Sequence, residues 1–180
     1  MKRVQVSRGC PPRDVDRSRA FVALGSNLGH SPRMIRRAFE RLQSLSALPL
    51  LKSSLWRTAP VDCPPGSREF INAVAGLVPK PGATPESLLG ELQKLEKEFG
   101  RGARKILNEP RPLDLDLIAF GGEIRATKEL TLPHPRAHLR RFVLQPLSEI
   151  APDLVLPGRR KTVAELLRRL PPDDAIRKLV

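Results

Sequence analysis

Tyrosine is absent from this 180-residue chain, tryptophan occurs once, and aromatic residues together make up 4% of it. Nucleic-acid-binding sheets stack bases on aromatic side chains, so this scarcity, with no RNP-type aromatic run, argues against an RNA- or DNA-binding module. Cysteine is almost as rare. Cys10 and Cys63 are the only two, each is followed by proline, and neither belongs to a C-x-x-C or Cys/His cluster. Neither a disulfide framework nor a zinc site is supported, and a reducing, cytoplasmic compartment is expected. No apolar run approaches the ~20 residues that span a bilayer, so no membrane partner is expected. The first eighteen residues hold no apolar core of the secretory kind.

Positive charge, by contrast, is abundant. The chain has 32 Lys+Arg against 19 Asp+Glu, a formal net charge of +13. Residues 1–19 hold six basic and two acidic side chains, so a net +9 remains on residues 20–180. The excess is therefore not confined to a tail, and anionic ligands such as polyphosphates are favoured. Residues 1–19, with Pro11-Pro12 and few large apolar side chains, read as a basic, disordered N-terminal arm. Residues 20–180 read as a single domain, long enough to bury a core without covalent staples.

Periodicity orders the elements. Residues 19–24 form a short apolar strand stopped by Gly25, and Ser31 and Pro32 open a helix whose Ile35, Ala38, Leu42 and Leu45 share a face. Leu50 to Arg57 reads as a second strand and Glu69 to Val78 as a third, with Ile71, Ala73, Ala75 and Leu77 on one face and Phe70, Asn72 and Val74 on the other. The second helix is capped by Thr84, opened by Pro85, striped by Leu88, Leu92, Leu95 and Phe99, and ended by Gly100. A strand at about 112–120 follows. The order β-α-β-β-α-β predicts an α+β, ferredoxin-like antiparallel sheet with both helices on one face and the other face open to a ligand. A proline-punctuated stretch then leads to a C-terminal helical extension, in which Thr162 and Glu165 make a capping box and Leu166, Leu167 and Leu170 point inward.

The last strand of that series carries the chemistry. Pro110-Arg-Pro-Leu-Asp-Leu-Asp-Leu-Ile118 sets two carboxylates two residues apart in an apolar run. In an extended backbone Asp114 and Asp116 share a face, while Leu113, Leu115 and Leu117 take the other. Oxygen ligands so spaced suit a hard cation such as Mg²⁺, held together with substrate phosphates. An alternating strand with its polar face in water would look similar. The cations around it, Arg101, Arg104, Lys105 and Arg111 before and Arg136, Arg140 and Arg141 after, favour a metal-nucleotide site instead. Asn72 is notable for another reason, since an amide in an apolar strand must be paired or cost on the order of 1–3 kcal/mol.

Several segments, in order, carry a family resemblance: residues 23–29 (ALGSNLG), 53–60 (SSLWRTAP), 70–74 (FINAV), Leu95-Glu96, 110–116 (PRPLDLD), 132–136 (LPHPR), 140–147 (RRFVLQPL) and 149–152 (EIAP). Together they resemble the 6-hydroxymethyl-7,8-dihydropterin pyrophosphokinase family, which has a ferredoxin-like fold. The resemblance implies transfer of pyrophosphate from ATP, the co-substrate, to a reduced pterin alcohol in folate biosynthesis, by a monomer acting on small molecules. It implies that Asp114 and Asp116 hold two Mg²⁺ and that Arg101 and Arg111, which bound a mobile loop, join them in catalysis. ATP is expected on Gln93, Glu96, Arg104, Leu117, Thr131, His134 and Arg140. The pterin is expected between Phe70 and Phe142, read by Asn72, with Thr58, Ala59, Pro60, Val61 and Asp114 completing its pocket.

One loop departs from the pattern. Where a tryptophan and then a glycine commonly precede the Pro-Arg pair, Asn108 and Glu109 stand here, and the second loop arginine is displaced to Arg104 or replaced by Ala103. Lower turnover or altered ATP affinity is the expectation this motivates. Gly25-Ser-Asn-Leu-Gly29 lacks the Gly-Lys-Ser/Thr ending of a P-loop and the Rossmann spacing, and reads as a strand-end turn near the pterin side. A rival enzyme class, another Mg²⁺-dependent nucleotidyl transferase using the same acid pair, would release pyrophosphate rather than AMP.

Overall fold

The computed structural model describes residues 18–61, 63, 66–102 and 110–179. The expected arm falls mostly on residues 1–17, outside the described residues, as do Arg104, Asn108 and Glu109. Strands β1 (Ala20–Ser26), β2 (Leu51–Lys52), β3 (Trp56–Thr58), β4 (Phe70–Leu77) and β5 (Asp114–Phe120) alternate with helices α1 (Ser31–Gln43) and α2 (Pro85–Glu98). The two-residue strands β6 (Arg125–Ala126) and β7 (Thr131–Leu132) form a separate hairpin. Helices α3 (Arg141–Ile150) and α4 (Val163–Arg169) follow, and β8 (Arg177–Lys178) closes the order.

The main sheet runs β5-β1-β4-β3-β8, with β2 also on β4, and its pairings are antiparallel. Alternation sorts its side chains into two cores. Val22, Leu24, Ile71, Ala73, Ala75, Leu115 and Leu117 meet Ile35 and Leu42 of α1 and Leu88, Leu92 and Leu95 of α2. On the opposite face Phe21, Val74, Ile118 and Ala119 meet Val143, Leu144 and Leu147 of α3 and Val163 of α4. That second core corrects the expectation of an open face. The helices after β5 bring their own apolar stripes, and these have no other surface to bury against. What stays uncovered is the end of the face where Ala23, Gly25, Phe70, Asn72, Asp114 and Asp116 stand.

Three local expectations are also revised. His30, not Ser31, caps α1: its Nδ1 accepts from the Arg33 N–H at 3.4 Å, while the Ser31 hydroxyl accepts from Ser26 Oγ at 3.0 Å. The strand expected over 50–57 is split into β2 and β3. At the break, Ser53 N–H donates to Val74 O at 3.0 Å and Ser53 Oγ accepts from Val74 N–H at 2.9 Å, so a side chain substitutes for a backbone rung. The proline-punctuated stretch contains α3, which keeps Pro146 inside it because Val143, Leu144 and Leu147 recur at helical spacing and are buried.

Candidate active site

Antiparallel register brings the acids to the amide. Gly25 of β1 lies opposite Asp114 of β5 on one side and opposite Asn72 of β4 on the other. Three neighbouring strands thus place a carboxylate, a glycine and an amide in one row. An ideal Cβ on Gly25 would sit 3.0 Å from Asn72 Oδ1, 3.8 Å from Phe70 Cδ1 and 3.9 Å from Asp114 Cβ. Only a hydrogen fits there without moving the amide.

Above this row lies a cleft open to solvent. Thr58, Ala59, Val61, Phe70, Asn72, Arg111, Asp114, Asp116, Arg140 and Phe142 all line it. Asn72 is 6% exposed, and its Nδ2 donates to Thr58 Oγ1 at 2.8 Å. One N–H and the carbonyl oxygen of that amide remain for a ligand. Each aromatic plate carries a cation: Arg111 lies 5.8 Å from the Phe70 ring centre and Arg140 lies 5.4 Å from that of Phe142. Flat apolar plates, an amide edge and guanidinium groups in one cleft suit a planar heterocycle bearing or facing an anion.

The carboxylates differ in their surroundings. Asp114 Oδ1 accepts from Arg101 Nη1 at 2.7 Å and Oδ2 pairs with Arg111 Nη2 at 3.0 Å. Burial, and then the charge of Asp114, push the Asp116 carboxyl above its ordinary range, against the pull of His134, Arg140 and Arg111. His134 donates its backbone N–H to Ile118 O at 2.9 Å on the outer edge of β5, and its Nδ1 accepts from the Arg136 N–H at 3.2 Å. An accepting Nδ1 leaves the ring's proton on Nε2. Burial lowers the His134 pKa, Arg140 and Arg136 add to that, and Asp116 opposes it.

Other expected residues stand elsewhere. Glu96 is 8% exposed and does not line the cleft; its Oε1 accepts from the Leu115 N–H at 2.7 Å and from Arg101 Nη1. Burial raises its pKa, the Leu115 N–H and Arg101 oppose this, and Asp114 and Asp116 reinforce it. Arg101 therefore bridges Glu96 and Asp114. Gln93 is exposed on α2, Thr131 is exposed on β7, Leu117 belongs to the core under the sheet, and Pro60 is half-buried beside the cleft. Gly25 and Cys63 line the cleft without having been expected as site residues. For Gly25 the signal was available, a glycine ending an apolar strand, but only the register shows what it faces. Cys63, whose Sγ donates to Val61 O at 3.3 Å, gave no signal in the sequence.

A family model described as 7,8-dihydro-6-hydroxymethylpterin-pyrophosphokinase (HPPK) matches residues 21–152. The chain is 38% identical over 151 residues to the 2-amino-4-hydroxy-6-hydroxymethyldihydropteridine pyrophosphokinase of Haemophilus influenzae, covering 83% of this chain and 91% of that one. It is 38% identical over 154 residues to the protein of the same name from Pseudomonas aeruginosa, covering 85% and 92%. In shape it resembles the wild-type Plasmodium falciparum HPPK-DHPS, with a TM-score of 0.63 at 13% identity, covering 84% of this chain and 40% of that one. The last likeness speaks for the fold alone, and this chain spans about two fifths of that longer chain.

Proposed function

The chain belongs to the 7,8-dihydro-6-hydroxymethylpterin-pyrophosphokinase family, and from that premise we infer which of its residues carry the reaction. It is a pyrophosphokinase of folate synthesis, transferring pyrophosphate from ATP to 6-hydroxymethyl-7,8-dihydropterin. The pterin hydroxymethyl oxygen attacks the β-phosphorus, the bond to the α-phosphate oxygen breaks, and AMP leaves. Positioning and charge stabilisation supply most of the rate, since such transfers ask little covalent chemistry of a protein.

Phe70 and Phe142 flank the pterin, Asn72 reads its edge with the amide group that Thr58 leaves free, and residues 58–61 close the rim. Arg111 and Arg140 stand on those plates and reach the phosphates, while Arg101 is held at Asp114 by Glu96. His134, neutral and with its proton on Nε2, donates to a phosphate oxygen. Gln93 and Thr131 contact ATP from the periphery, and Arg104, outside the described residues, is kept as a further ATP contact from the sequence alone.

The acid pair fits Mg²⁺. Both are hard oxygen donors on one strand face, and each Asp114 oxygen holding a guanidinium keeps a second lone pair. The raised Asp116 carboxyl marks a charge deficit that a divalent cation would relieve. Asp114 and Asp116 would hold two such ions, which shield the triphosphate charge when bound. Further parts of the reading are the ferredoxin-like order β5-β1-β4-β3 with a C-terminal helical extension, a single domain over 20–180, a monomer, and a cytoplasmic place. No described helix is long and apolar enough to cross a membrane.

The observation that carries the site assignment is the row Asp114, Gly25, Asn72, which sets metal and pterin chemistry two strand spacings apart, on either side of β1. The test is incubation with ATP, Mg²⁺ and the reduced pterin alcohol. Pterin-dependent AMP is expected; release of pyrophosphate would indicate nucleotidyl transfer, and no turnover would overturn the reading.

A further inference from the structure

The turn Gly25-Ser-Asn-Leu-Gly29 has so far been given no part beyond Gly25. Its third residue, Asn27, is 3% exposed and is joined to Arg111 twice. The Asn27 backbone N–H donates to Arg111 O at 3.2 Å, and Asn27 Oδ1 accepts from the Arg111 N–H at 2.8 Å. The position follows from register: with Gly25 opposite Asp114, the chain leaving β1 runs alongside the residues that enter β5. Chemistry explains the asparagine. Pro110 and Pro112 have no N–H, so Arg111 carries the sole backbone donor of the tripeptide, and one side-chain oxygen takes it.

The turn is itself fixed. Ser26, fully buried, is paired with Ile71 in the β1–β4 ladder and donates to Ser31 Oγ at the start of α1. Asn27 thus ties Arg111 to two rigid elements rather than to another loop. The guanidinium it holds is the one that pairs with Asp114 Oδ2 and lies over Phe70, at the border between acid pair and aromatic plate. Among the described residues, Asn27 Nδ2 and Arg111 Nε have no hydrogen-bond partner, so Oδ1 is the working atom of the Asn27 side chain.

We propose that Asn27 is a positioning residue for the transfer reaction: it locks the backbone of Arg111 so that the guanidinium stands between Asp114 and the ring of Phe70. This rests on the role given to Arg111 above. Misplacing a catalytic group by about an ångström costs up to ~100-fold in rate, so Asn27→Ala should lower kcat by ~10- to 100-fold while the pterin KM stays near that of the parent protein.

The test has two arms. In the first, kcat and KM are measured for the parent, Asn27→Ala, Arg111→Ala and the double variant. Loss of kcat in Asn27→Ala that is absent in the Arg111→Ala background supports the proposal, and an equal loss in both backgrounds overturns it. In the second, hydrogen exchange of the Arg111 amide is followed by NMR, which needs no turnover. Faster exchange in Asn27→Ala confined to the Arg111 amide and the amides of the turn is expected; unchanged exchange overturns the proposal even if the parent enzyme is active. Should Asn27→Ala fail to fold, Asn27→Asp tests the same bond. It keeps the accepting oxygen but exchanges Nδ2 for a second oxygen and adds a negative charge, so exchange alone is read: the Arg111 amide must stay protected, and loss of that protection overturns the proposal. Absence of pterin-dependent AMP from the parent would refute the proposed activity, a result distinct from each of these.

Discussion

Asn72 donates its Nδ2 to the Thr58 hydroxyl across 2.8 Å, and both residues are buried. The bond fixes which way the amide faces, so the oxygen points to Gly25 and one N–H is left over. Thr58→Val keeps the shape and removes the acceptor. A buried donor then lacks a partner, at a cost of about 1–3 kcal/mol to the folded state. Urea unfolding should show that loss, and calorimetry should show weaker pterin binding with ATP binding unchanged. An unaltered pterin affinity would remove Thr58 from the recognition site.

Gly25→Ala attacks the same amide from below. The new methyl group would lie 3.0 Å from Asn72 Oδ1, so either the amide or β1 must shift. Overpacking of this kind costs about 1–3 kcal/mol. The expected outcome is a pterin Kd raised about tenfold, with about 1.4 kcal/mol lost in binding, and an ATP Kd near that of the parent. Equal weakening of both substrates would mean that the strand, not the amide, had moved.

How much of this was legible in the sequence depended on whether a signal was local. The acid pair was legible because strand alternation is a two-residue rule, and Leu113, Leu115 and Leu117, which alternate with the aspartates, are indeed in the core. Helix α2 was legible because Thr84, Pro85 and Gly100 mark its ends, the last with φ of 89°. Helix α3 was hidden by Pro146, and the break between β2 and β3 by a serine hydroxyl that imitates backbone. The positions of Glu96 and Arg101 are tertiary. A carboxylate on α2 reaches the edge of β5 only because α2 packs there, and no spacing in the sequence encodes that. Nor does a helix's apolar stripe say which face of a sheet it will cover, which is why the second core was not foreseen.

Asp116→Asn should separate stability from activity. A carboxyl raised in the folded state above its ordinary value of 3.8 favours folding only while protonated. Below pH 3.8 both states are protonated and nothing is lost; as pH rises through the folded value, that stability disappears. Once ionised, the buried side chain beside Asp114 therefore weakens the fold. Asn removes that charge. Tm at pH 7 should rise in the variant, and the gain should shrink toward pH 3.8, while kcat falls by roughly 10³-fold, equivalent to about 4 kcal/mol. A variant that keeps its turnover would show that Asp116 holds no catalytic cation.

The opposite sign is expected at Glu149, with a built-in optical reporter. Its Oε2 accepts from the Ser54 N–H at 2.8 Å and from Trp56 Nε1 at 3.2 Å, and its Oε1 pairs with Lys178 Nζ at 2.8 Å. Burial pushes the carboxyl up, but Lys178, Ser54 and Trp56 together outweigh it and hold the pKa below the usual 4.5. Stability from this group is thus complete above pH 4.5 and is lost as pH falls through the lower, folded value. Lys178 also pairs with Trp56 in the β3–β8 ladder, so protonation loosens β8 and the indole at once. Trp56 is the sole tryptophan, and its fluorescence reports this contact without interference. An acid titration should show a fluorescence step below pH 4.5, ahead of global unfolding. Glu149→Gln, which cannot ionise, should abolish the step and leave the parent's neutral-pH turnover in place, because none of these groups lines the cleft. A step that persists in the variant would assign the titration to another acid.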